Sequence, residues 1–149
     1  MPRGMTITDV SDAERMHREQ EVLGRYFPDF ELVRSKSTGK YAARGVLSTH
    51  LNLYGIRIVL PTNYPYGMPD IEPVGWQPSG PHTYGSNSLC VMRHEQWRNS
   101  YSVALLVAKA AIWVNKYEIY RKDGKWPGNE QLHGLAAMRQ SLTEFWNSL

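Results

Sequence analysis

A chain of 149 residues with 42% hydrophobic and 21% charged positions has the size and composition of one globular domain, 1–149, able to bury a core without staples or metals. Its formal charge of +3 is spread over scattered Lys and Arg, so a nucleic-acid partner is not expected, and no apolar stretch reaches membrane-spanning length, so neither is a membrane. Met1-Pro2-Arg3-Gly4-Met5-Thr6 has no apolar run behind its charge, which argues against a leader peptide and makes a reduced, cytoplasmic protein the default.

Ser11-Asp12-Ala13-Glu14 fits a capping box, in which the serine hydroxyl and the glutamate carboxylate satisfy free N–H groups at a helix start. A helix is expected from Ser11 to Tyr26. Its packing face would carry Ala13, Met16, Gln20, Leu23 and Phe27, and its outer face Glu14, Arg15, Arg18 and Glu21. Pro28-Asp29 ends it. Three strands follow, Phe30 to Arg34, Tyr41 to Thr49 and Leu51 to Leu60, the first two joined by a turn at Ser37-Thr38-Gly39. In the third, Leu51 and Leu53 fall on odd positions but Ile56, Ile58 and Leu60 on even ones. A bulge at Gly55 would absorb that change of parity. Pro61, Pro65 and Pro69 then form a rigid elbow, because proline fixes φ and removes a ladder donor, and Asp70 to Pro73 can pair as a fourth strand.

The segment His82-Thr83-Tyr84-Gly85-Ser86-Asn87-Ser88-Leu89-Cys90 holds the only cysteine. One thiol cannot form an internal disulfide or supply paired-cysteine spacing for zinc, so no metal or other cofactor is expected there. Two readings of Cys90 stay open at this level: a small buried apolar residue, or a nucleophile on an irregular polar loop. After Trp97 the chain turns helical. Ser100 or Ser102 can cap, and Val103 to Val114 is apolar nearly all round, as a central helix packed on a sheet would be. Lys116, Arg121 and Lys122 suit its C-terminal dipole, Gly124 can close it, and Lys125-Trp126-Pro127-Gly128 makes a turn. A last helix is expected from Leu135 to Ser148, with Leu135, Met138, Leu142, Phe145, Trp146 and Leu149 as the packing stripe.

Pro61, Tyr64, Pro65, Pro69 and Ile71 resemble the ubiquitin-conjugating enzyme family, whose third strand leads into Phe-Pro-x-x-Tyr-Pro-x-x-Pro-Pro-x-Val/Ile. Leu60 and Met68 stand for the Phe and one Pro. His82 answers the histidine of that family's His-Pro-Asn, Leu89-Cys90 its aliphatic residue and catalytic cysteine, and Trp97 the following tryptophan. The resemblance spans roughly 11–120. It implies an α+β, UBC-like fold: N-terminal helix, four-stranded antiparallel meander, active-site loop, central helix and C-terminal helix. The Pro-Asn is Thr83-Tyr84 here and the His-to-Cys spacing is shorter, a pattern similar to the divergent bacterial members of ubiquitin-like and cyclic-oligonucleotide antiphage (CBASS) operons.

By that resemblance Cys90 would carry the C-terminus of a ubiquitin-like protein, or of a cyclic-oligonucleotide synthase, as a thioester, and transfer it to a target amine. His82 would steady the loop through ring hydrogen bonds, or else touch the chemistry itself. Asn87 is the nearest amide to take over the missing asparagine's role, or else a turn former. His94, if protonated, would favour the thiolate, or else is a solvated loop residue. Asp123, Glu130 and His133 lie where the family's later loop nears the cysteine and could orient the amine, or else are surface residues. An activating enzyme would dock on the first helix, over Arg15, Arg18 and Glu21. Two rivals are a catalytically inactive binding module on the same fold, and a Cys/His hydrolase using His82 or His133, for which no papain-type signature surrounds Cys90.

Overall fold

The computed structural model describes residues 3–85 and 87–127. The expected helix from Leu135 to Ser148, Glu130 and His133 lie outside the described residues. A short 3-10 turn, Arg3–Met5, precedes helix α1, Asp12–Tyr26. Strands β1, Glu31–Arg34, β2, Tyr41–Ser48, β3, Leu53–Val59, and β4, Asp70–Val74, follow, then helix α2, Val103–Asp123. The strands form one antiparallel sheet in the order β1-β2-β3-β4. Among the described residues, α1, α2 and this meander make an α+β architecture compatible with a UBC-like fold. Among the described residues no helix is long and apolar enough to cross a membrane.

Ser11 caps α1, its side-chain oxygen accepting the Glu14 N–H at 3.3 Å, the serine half of the expected box. The buried side of α1 differs from expectation. Arg15, Glu19, Val22 and Leu23 are buried and Ala13 and Gln20 are exposed, so the core-facing stripe is rotated and includes two charged residues. Arg15 and Glu19 can enter because they are four residues apart, pair at 3.2 Å, and have every remaining polar atom partnered. Arg15 therefore does not belong to an exposed face with Arg18 and Glu21.

Gly55 makes no bulge. Pairing runs without a break through Gly45↔Ile56, Val46↔Gly55 and Leu47↔Tyr54. Tyr54, Ile56 and Ile58 point into the core, while Leu53 is 73% exposed and Leu51 lies outside the strand. The parity change is thus two outward leucines rather than an inserted residue. Gly55 instead permits close approach: a Cβ there would lie 2.4 Å from the Val74 carbonyl oxygen.

The core lies between the inner sheet face, with Ala43, Leu47, Ile56, Ile58 and Ile71, and α2. Every side chain from Val103 to Ala108 is buried, which explains the all-round apolar sequence of that helix. Burying each Leu, Ile or Val contributes on the order of 1.5–3 kcal/mol. Ser102 is the cap, accepting the Leu105 N–H at 3.1 Å, and Gly124 closes α2 at φ 77°.

Candidate active site

The segment from Gly80 to Cys90 folds onto itself as a miniature hairpin beside β4. Thr83 and Leu89 form an antiparallel bridge, Tyr84 N–H donates to Ser88 O at 2.8 Å, and Asn87 N–H donates to Tyr84 O at 2.9 Å. His82 and Asn87 take left-handed φ of 62° and 67°, which histidine and asparagine tolerate better than most residues. Leu89 is fully buried and donates its N–H to Ile71 O at 2.8 Å, so the loop hangs from β4 by a core residue immediately before the cysteine.

Two donors converge on the His82 carbonyl. Cys90 N–H reaches it at 2.9 Å and the Trp113 indole N–H at 3.0 Å. The loop is thereby tied to the middle of α2, and the cysteine backbone is fixed from both sides, through Leu89 to the sheet and through His82 to the helix. Cys90 itself is a free, half-exposed thiol whose Sγ faces Met92 O at 3.8 Å. It is neither a core residue nor a freely solvated one.

The hydrogen bonds described for His82 all fall on its carbonyl oxygen, while its ring packs on Trp126 with centroids 4.6 Å apart. The loop is steadied by the histidine main chain where ring hydrogen bonds were expected. Asn87 is exposed at the turn and lines a cleft with Arg57, Glu72 and Trp76. His94 opens the 3-10 turn His94–Gln96 and lies against the Tyr84 ring, centroids 5.5 Å apart. Asp123 is the exposed last residue of α2, and among the described residues no hydrogen bond or ion pair joins it to the Cys90 loop.

Tyr84 is the neighbour the composition does not single out. Its hydroxyl donates to Met92 O at 3.1 Å, the carbonyl that Cys90 Sγ also faces. Burial first, then the Cys90 side chain and the charges of Asp70 and Glu95, push that hydroxyl up to about 12. It is a neutral donor at ordinary pH. The available signal was its place, since Thr83-Tyr84 stands where the resembled family has Pro-Asn.

Among the described residues no three His, Cys, Asp or Glu side chains cluster as a metal site. What Cys90, Tyr84 and the pinned main chain offer is an accessible sulfur nucleophile beside a fixed hydroxyl donor, a combination suited to acyl transfer. The family model of the Type II CBASS E2 protein matches residues 19–134, a span that includes every group just described. No curated protein sequence matches the chain.

Proposed function

The chain belongs to the Type II CBASS E2 protein family, bacterial E2-like proteins of CBASS antiphage operons, and from that membership we propose that Cys90 is a thioester-carrying nucleophile. Its thiolate attacks the activated C-terminal carbonyl of a ubiquitin-like protein or of a cyclic-oligonucleotide synthase, the C–S bond forms, and the bond to the activating group breaks, that group leaving with the electron pair. A target amine then attacks the thioester, the C–N bond forms, and Cys90 leaves as thiolate. A thioester is already activated, so the site has to position the amine more than to deprotonate it strongly.

The observation that carries this reading is the half-exposed Cys90 thiol on a backbone held to both β4 and α2. A cysteine serving only as a small apolar filler gains nothing from such exposure. In the same reading His82 anchors the loop by its carbonyl and Asn87 forms its turn. His94 packs against Tyr84, and the role of orienting the incoming amine would fall to Asp123, Glu130 or His133.

Incubation with ATP and extract of the native host, followed by non-reducing and reducing gels, tests the proposal. The wild type should give a slower band that reductant removes, Cys90→Ala no band, and Cys90→Ser a band that reductant leaves intact, because an oxygen ester resists thiols. Absence of any wild-type band in a host expressing the neighbouring genes would move the non-catalytic binding module ahead.

A further inference from the structure

Acyl transfer at a thioester passes through a tetrahedral intermediate whose oxygen carries negative charge, and a fixed donor at that oxygen accelerates the step. The Tyr84 hydroxyl and the Cys90 thiol meet on one acceptor, Met92 O, at 3.1 and 3.8 Å. Tyr84 is held there by its main-chain bonds to Ser88 and Asn87 and by its ring contact with His94. Its ring is therefore in place, and only the O–H bond has to turn from Met92 O for it to act. With its ionisation pushed up to about 12, it keeps its proton while a neighbouring thiol cycles between thiolate and thioester.

Building on the thioester reading, we infer that the Tyr84 O–H donates to the oxyanion formed when an amine attacks the acyl group on Cys90. The amine nitrogen bonds to the carbonyl carbon, and the carbonyl π pair moves to oxygen, which accepts the hydrogen bond that the Tyr84 O–H donates. The ammonium proton goes to water. The carbonyl re-forms, the C–S bond breaks, and Cys90 Sγ leaves with the electron pair. In the resting state the hydroxyl is spent on a neutral carbonyl, so the stronger bond to an oxyanion appears only as charge develops. Asn87 lines the cleft with Arg57 and Glu72, and His94 is packed on Tyr84 itself, so neither matches this placement.

The test uses the whole protein acylated on Cys90 by the mercaptoethanesulfonate thioester of acetylglycine, freed of excess probe and discharged with hydroxylamine, with intact mass as readout. Tyr84→Phe keeps the ring and removes only the hydroxyl. It should slow discharge by about a hundredfold at saturating amine. Alkylation of Cys90 by iodoacetamide, which forms no oxyanion, should keep its wild-type rate. Equal discharge of wild type and Tyr84→Phe would overturn the inference and leave the thioester reading standing. An equal loss in discharge and alkylation would also overturn it, since Tyr84 would then act on the thiol. A wild-type protein that takes no acyl group on Cys90 would remove both.

Discussion

Trp113 holds the Cys90 loop by a single nitrogen, which makes it the most informative residue outside the loop. Its indole N–H shares the His82 carbonyl with the Cys90 N–H. Trp113→Phe keeps the six-membered ring, removes that donor and leaves a small cavity where the pyrrole ring was, so a loss of about 2–3 kcal/mol in urea unfolding is expected. Amide exchange at Cys90 should quicken, while exchange at Leu89, whose acceptor is Ile71 O, should change less. Equal exchange at both amides would show that α2 does not pin the loop. At this scale the sequence marks Cys90 well, because Gly85, Asn87 and Ser88 make a polar lead-in unlike a core strand. Tyr84 escapes notice for a physical reason. An aromatic residue in a loop reads as packing, and the left-handed turns at His82 and Asn87 that set its main-chain path are adopted by non-glycine residues, which composition does not flag.

At the scale of elements, alternation and proline placement locate β1 to β4 within a residue or two, since both report directly on ladder geometry. The parity argument at Gly55 fails because it takes every leucine to be inward, whereas Leu53 is outward and β3 pairs regularly with β2 and β4. Glycine at that position answers a contact between strands instead. Gly55→Ala would set its Cβ against the Val74 backbone oxygen, which only movement of β4 can relieve, and a cost of about 1–3 kcal/mol is expected. Gly24 gives the contrast. It sits within α1, and a Cβ added there would meet nothing within 4 Å, so Gly24→Ala should stabilise by about 0.5–1 kcal/mol. Thermal melts of the two variants should move in opposite directions, and a Gly55→Ala protein as stable as wild type would show slack between β3 and β4.

At the scale of the molecule, Glu19 joins parts of the chain that no local pattern connects. It pairs with Arg15 on α1, accepts from the Tyr64 hydroxyl beyond β3, and accepts the Val103 N–H at the start of α2 at 2.9 Å. Arg15 extends the junction to the carbonyls of Asn99 and Tyr101 at 2.7 and 2.8 Å. Helical periodicity assigns charged residues to solvent, so this junction could not be read from α1 alone; its partners lie more than forty residues away in sequence. Glu19→Ala leaves the buried Arg15 guanidinium, the Tyr64 hydroxyl and the Val103 N–H without their shared acceptor and should cost about 3–5 kcal/mol. Glu19→Gln isolates the ionisation. Burial raises the Glu19 carboxyl above the ordinary glutamate value, against the opposing pull of Tyr64, Val103 and Arg15. The folded state thus holds the proton more tightly than the unfolded chain, and the stability this group adds is full below the unfolded value and lost as pH rises through the folded one. Glutamine has no such dependence. The advantage of wild type over Glu19→Gln in urea midpoint should therefore shrink as pH rises above the ordinary glutamate range, about pH 4. An advantage that grows with pH would mean that attraction to Arg15 outweighs burial, and that the junction is held as an ion pair.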